Sequence, residues 1–198
     1  MKKRLGLILL ILVLLISTVS AESWYQFGSM KFSISAGPTV PLTLTTWGET
    51  HVGPGEGNTN FSVGGIGSID YQVYLCSWFS LGAELGFQFN LDNNNDVFSS
   101  IPVLAKFTFV PVQTARFELP ISFGVGGNYL SFGDYSKFAF GVTADIEARY
   151  FFKENWGIGI RTGFHAIFEW YANLSVTNLS KNGTLTNIPV MLSITYRN

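Results

Sequence analysis

Phe79-Ser80-Leu81-Gly82-Ala83-Glu84-Leu85-Gly86-Phe87-Gln88-Phe89-Asn90-Leu91 is apolar at every odd position and small or polar at every even one. A period of two is the mark of a β-strand, which points alternate side chains to opposite faces. The stretch is about twice the usual strand length. Its polar face is Ser, Gly, Glu, Gly, Gln and Asn, nearly uncharged apart from Glu84. The fold therefore turns on which solvent each face meets.

The same alternation recurs along the chain. Working outward, it predicts strands at about Ser29 to Val40, Phe61 to Tyr74, Phe79 to Leu91, Ser99 to Val110, Arg116 to Tyr129, Phe138 to Phe151, Trp156 to Phe168 and Thr186 to Arg197. There is no amphipathic-helix pattern among them. Connections after the second, fourth and sixth strands are short. Those after the first, third, fifth and seventh read as long: Pro41 to Asn60, in which nothing alternates, the turn around Asp92 to Asp96, Leu130 to Lys137, and Glu169 to Leu185. This is the pattern of an up-and-down meander with its long loops at one end.

The polar face decides the solvent. Only 13% of the 198 residues are charged and 16% are aromatic, with 18 Phe and 21 Gly. A soluble exterior needs about twice that charge. Gly, Ser, Thr and Asn suit a narrow lumen, whereas the Phe, Leu and Ile of the other face would be one very large sticky patch in water. Strands of this length span ~43 Å at 3.3 Å per residue. Tilted by ~40° they cross ~33 Å, enough for the apolar band of an outer membrane. Backbone groups in lipid must all be paired, so such a sheet has to close. The expected fold is all-β, an eight-stranded antiparallel up-and-down transmembrane β-barrel. Girdle aromatics are expected at Tyr71, Tyr74, Trp78, Tyr150 and Trp156 near the short turns, and at Phe89, Tyr129, Phe138, Phe168 and Trp170 near the long loops.

Residues 1–21 read as a secretory signal peptide, leaving 22–198 as the barrel domain. Lys2, Lys3 and Arg4 precede an apolar run from Leu5 to Ile16, and Val19-Ser20-Ala21 offers small residues for cleavage. Losing those three cations leaves 9 basic against 13 acidic side chains, a net charge of −4. No basic tract points to nucleic acid. The single cysteine, Cys76, forms no intrachain disulfide.

With the polar face inward, the lumen carries Lys31, Asp70, Glu84, Lys106, Glu118, Asp145, Glu147, Arg149 and Arg161. Opposed residues of an antiparallel hairpin have a constant index sum. Centring one hairpin on Asn93 to Asn95 sets Glu84 level with Lys106. Centring another on Lys153-Glu154 sets Glu147 level with Arg161. The expected network is a ladder Glu84–Lys106–Glu118–Arg149 with a Glu147–Arg161 rung. It has two readings. One is structural, because an isolated charge in a narrow interior costs several kcal/mol. The other is a gate or ion path.

No nucleophile–base pair stands near His51 or His165, and no His/Cys spacing suits a metal. Neither an enzyme nor a cofactor is expected. Surface-loop candidates are Trp47 and His51 in the first long connection and Trp170 and Tyr171 in the last.

Phe140-Gly141-Val142-Thr143-Ala144-Asp145-Ile146-Glu147-Ala148-Arg149-Tyr150-Phe151, followed by Lys153-Glu154-Asn155-Trp156-Gly157, resembles the small eight-stranded bacterial outer-membrane β-barrel families, the OmpX/OmpA-like and OmpW-like group. Ile101-Pro102-Val103-Leu104 and Ile188-Pro189-Val190-Met191 are further echoes. The resemblance implies a bacterial outer-membrane location, lipid contact and insertion by the barrel-insertion machinery. The chain departs from the family in ending Tyr196-Arg197-Asn198 rather than on an aromatic. The leading functional expectation is a rigid barrel that presents loops to an extracellular ligand, for adhesion or envelope integrity. A small channel for ions or apolar molecules is the alternative, and a lipid-modifying enzyme a remote third.

Overall fold

A computed structural model describes residues 24–46, 49–168 and 183–198. The expected signal peptide, Trp47, Trp170 and Tyr171 lie outside the described residues. Among the described residues nine strands follow in order: β1 (Met30–Thr46), β2 (Glu49–Val52), β3 (Gly64–Cys76), β4 (Phe79–Leu91), β5 (Val97–Gln113), β6 (Phe117–Phe132), β7 (Tyr135–Phe151), β8 (Trp156–Phe168) and β9 (Gly183–Arg197). Each long strand pairs antiparallel with the next, and β9 pairs back onto β1 along Lys31–Arg197 to Thr46–Gly183. The result is a closed eight-stranded antiparallel barrel. β2 is a short extra piece that pairs with the upper end of β1, where β3 no longer reaches.

Two expected loops are partly strand. β1 continues to Thr46, and Thr43–Thr46 pair with Val52–Glu49 on one side and β9 on the other. A register shift between Pro41 and Thr43 switches which side chains face in, and that switch hides the strand from a period-two pattern. The second is Leu130 to Lys137. Here β6 and β7 run to a two-residue turn, Gly133-Asp134, with Phe132 opposite Tyr135. Gly133 has φ +57°, the left-handed backbone that the first central position of a II′ hairpin requires.

Alternation along each strand sorts the side chains as expected. In β4, Leu81, Leu85, Phe87 and Phe89 are exposed, whereas Ser80, Glu84, Gln88 and Asn90 are buried. The outer surface carries an apolar band that continues around the other strands through Ile34, Val103, Phe123, Ile146, Ile160 and Leu192. Aromatic pairs mark its two rims. Trp78 stacks near Phe109 (5.9 Å) and Trp156 meets Tyr196 edge-on (5.2 Å) at the short-turn end. Phe87–Phe89 and Phe140–Phe168 lie toward the other end. Tyr74 is a correction to the expected girdle. Even positions of β3 point inward, and Tyr74 is fully buried.

The interior is layered. Toward the long loops it is apolar: Phe98, Leu130, Ala139, Ile167 and Leu185 form a plug, with Leu44, Phe61 and Phe132 against it. Phe61 turns in because it precedes β3 and only bridges to Asp92. The middle and lower layers are polar and charged.

Candidate functional site

Nine charged residues were expected in the lumen, and all nine are at least 92% buried there. The structure adds a tenth, Arg197, 1% exposed. It balances the set: Asp70, Glu84, Glu118, Asp145 and Glu147 face Lys31, Lys106, Arg149, Arg161 and Arg197. The sequence signal for it existed. Met191, Ser193 and Thr195 already placed odd positions of β9 inside, and the nine expected charges left one acid unmatched.

Two clusters take nine of these groups, and Lys31, level with Gln72, lies within electrostatic reach of Asp70 in one and Glu147 in the other. The middle one is centred on Lys106, whose ammonium donates to Glu84 and lies 3.3 Å from Asp70 and 3.8 Å from Asp145. Arg161 Nη2 donates to both Glu84 Oε2 and Asp145 Oδ2 at 2.6 Å. His165 Nε2 stands 3.0 Å from Asp145 Oδ1. Neutral side chains satisfy the remaining lone pairs: Gln72 donates to Asp70 (3.0 Å), and Ser80 donates to Gln72 (2.6 Å).

The lower cluster is centred on Glu118. Arg149 Nη1 (3.2 Å) and Arg197 Nη1 (2.6 Å) donate to its two oxygens. Arg149 also grips Glu147 with two parallel bonds, Nε to Oε1 at 3.1 Å and Nη2 to Oε2 at 2.6 Å. Ser193 donates to the same Glu147 at 2.5 Å. Such forked pairs fix geometry as well as charge.

These contacts revise the expected ladder. β4 and β5 pair Gly82 with Lys106 and Glu84 with Leu104, two residues away from the expected register. A shift of two keeps every side chain on its face, so Lys106 still reaches Glu84 along the diagonal. Glu118 does not join Lys106. The turn between β5 and β6 sets Glu118 opposite Gln113, whereas Lys106 faces Gly124. Glu147 is level with Arg161 as expected, but their side chains part: Arg161 turns up into the middle cluster and Glu147 down to Arg149.

At the base, the segment before β1 enters the barrel. Tyr25 is 2% exposed and stacks face to face on Tyr74, ring centres 3.5 Å apart and planes 6° apart. Its hydroxyl donates to Glu118 Oε2 at 3.2 Å. Burial, and then the Glu118 carboxylate, push the Tyr25 phenol well above its ordinary pKa, so it stays a donor. The Arg197 guanidinium lies 3.5 Å from the Phe151 ring centre and 4.4 Å from that of Trp24.

Between the middle cluster and the apolar plug, a cavity of about 10 Å³ is lined by Gln88, Asn128, Thr143 and His165 among others. That is room for one water at most. Among the described residues no group of three or more His, Cys, Asp or Glu side chains suits a metal.

At the opposite end, the 53–60 loop is compact. Thr59 Oγ1 donates to the Gly53 carbonyl (2.7 Å), Gly55 N donates to that of Phe61 (2.9 Å), and Asn93 of the neighbouring turn donates to Asn60 (3.1 Å). Pro54, Glu56 and Asn58 are exposed on it. His51 sits in β2 opposite Leu44, partly exposed.

A family model matches residues 17–196. The chain belongs to that family, one of spirochaete proteins. Two curated relatives are described only as uncharacterized. One, from Borreliella burgdorferi, is 24% identical over 138 residues, which is 62% of this chain and 65% of the relative. The other, from Treponema pallidum, is 29% identical over 98 residues, 48% of this chain and 43% of the relative. The chain thus spans less than two thirds of either. Among solved structures it is similar to Neisserial surface protein A, with TM-score 0.55 and 9% identity, covering 83% of this chain and 96% of that one. It is also similar to Ail, the attachment invasion locus protein of Yersinia pestis, with TM-score 0.50 and 13% identity over 87% and 100%. At such identities the likeness is one of fold: a small barrel resembling those of outer membranes.

Proposed function

We propose that this chain is a non-enzymatic integral protein of the bacterial outer membrane, a rigid and closed barrel that presents loops at the cell surface. The observation that carries this reading is the pairing of an apolar exterior with a filled lumen. The outward residues are those that lipid solvates and water does not. Among the described residues the inward ones include ten charges, five of each sign, with an apolar plug above and an aromatic stack below. Among the described residues these side chains fill the lumen, as they do in small eight-stranded barrels generally, which supports a closed barrel over a channel.

The ionic network then serves stability. Charges removed from water hold their place only through well-formed pairs, and these pairs tie strands far apart in sequence into one tube. Rigidity below makes the upper loops a fixed display. The hydrogen-bonded 53–60 loop and its link to Asn93 are built for binding or adhesion rather than for turnover. The membership in OmpX/OmpA-like or OmpW-like groups, the cleaved leader and the use of the insertion machinery belong to this same reading.

The test is fractionation combined with surface proteolysis. The protein is expected in the outer-membrane fraction, with heat-modifiable gel mobility. Protease added to intact cells should cut within the 47–63 or 169–182 connections and leave the barrel. Recovery in the soluble fraction, or protection of both connections on intact cells, would overturn the reading.

A further inference from the structure

Everything at the short-turn end converges on two side chains, Glu118 and Arg197. Glu118 is 0% exposed and takes bonds from Arg149, Arg197 and Tyr25. Arg197 donates from Nε to the Glu154 carbonyl (2.8 Å) and from Nη2 to that of Ala115 (3.1 Å), so it binds two of the three short turns. Asn155 returns a bond to the Arg197 carbonyl at 2.8 Å. The third short turn follows Tyr74, whose ring takes Tyr25 and whose carbonyl accepts from Gly28 N at 2.9 Å.

We propose that the base of the lumen is a docking site for an aromatic phenol, occupied by the protein's own Trp24–Tyr25 segment, which acts as a strap that seals the lower mouth. The site has the parts such a ligand needs. Tyr74 offers a flat ring on which a second ring stacks. Glu118 offers the carboxylate that a phenol donates to. Arg197, over the rings of Phe151, Trp24 and Tyr25, adds a cation beside them. The strap joins β1 through Gly28 at φ +86°, and its outer residue Trp24 is 41% exposed. It is therefore a separable element seated on a finished barrel, unlike the strands. Release would bare Ser80, level with Tyr74 on β4, and above it Gln72 and Lys31. The inference rests on the barrel and not on the membrane placement or on what the loops bind.

A buried reporter tests it. Ser80→Cys is introduced into the full chain carrying Cys76→Ser, exported and purified in detergent, and its reaction with a water-soluble maleimide is timed. With the strap intact the thiol should react slowly. Tyr25→Ala should speed labelling by roughly tenfold or more, as expected for local opening without global unfolding, while heat-modifiable mobility stays unchanged. Tyr25→Phe, which keeps the stack but loses the bond to Glu118, should fall between. Equal labelling rates with and without Tyr25 would overturn the proposal. If Tyr25→Ala gives no folded band, Trp24→Ala decides: faster labelling supports the strap, and an unchanged rate overturns it.

Discussion

Lys106 is the residue on which the middle of the lumen depends. Its ammonium faces three carboxylates, Glu84, Asp70 and Asp145. Replacing it by Met removes the cation that all three share and leaves them buried with Arg161, which bonds Glu84 and Asp145, and the more distant Lys31 near Asp70. Breaking a buried pair in this way costs about 3–5 kcal/mol, to be measured by urea unfolding of the protein refolded into lipid vesicles. Adding Glu84→Gln should recover part of the loss but not all, since Asp70 and Asp145 keep their charge. If Lys106→Met changed nothing, the network would not be structural. How far this site was legible in the sequence follows from the geometry of strands. Parity alone puts nine of the ten charges inside, because alternation holds along the part of each strand that carries them. Which charge meets which was less legible. A register error of two leaves the faces intact, and Lys and Arg side chains are long enough to choose a diagonal neighbour over a level one. That is why Glu84–Lys106 formed despite the shifted register, and why Glu147 and Arg161 parted despite the right one.

At the scale of elements, the readable parts are those where pattern and structure share a period. β4 begins at Phe79 and ends at Leu91, the bounds that its alternation drew. β1 and the β6–β7 hairpin escape the pattern for opposite reasons. In β1 a bulge at Pro41–Thr43 inverts the alternation midway. In the hairpin, Gly133-Asp134 joins two strands whose ends look like loop sequence. The turn makes its own prediction. Gly133 holds φ +57°, a conformation that costs a residue with a Cβ roughly 1–2 kcal/mol. Gly133→Ala should lower stability by that amount, whereas Gly133→Asn should cost less, because Asn visits this region more readily. An Ala variant as stable as the parent would mean the turn is not the type described. Gly127 constrains the outer face instead: a Cβ there would fall 1.9 Å from the Phe138 ring, which lies across it as a cover. The Trp24–Tyr25 strap had no sequence signal, since a short lead-in with three aromatics reads equally well as a free tail.

For the whole molecule, the faces matter more than any one contact. On the proposed reading, a barrel with apolar residues outside and charges balanced inside is solvated by a bilayer. A charge placed at mid-height on the outer face should therefore be costly in a depth-dependent way. Leu85→Arg should destabilise the inserted protein by about 2–4 kcal/mol, and the same change near a rim by much less. Equal effects at both heights would argue against a spanning orientation. The most direct test returns to β4. Spin labels are placed one at a time from Ser80 to Asn90 in the protein refolded into vesicles, and their accessibility to dissolved oxygen is measured. The account predicts a period of two, with Leu81, Leu85, Phe87 and Phe89 high and Ser80, Gln88 and Asn90 low. Uniform accessibility along the strand, or an alternation with the phase reversed, would contradict it.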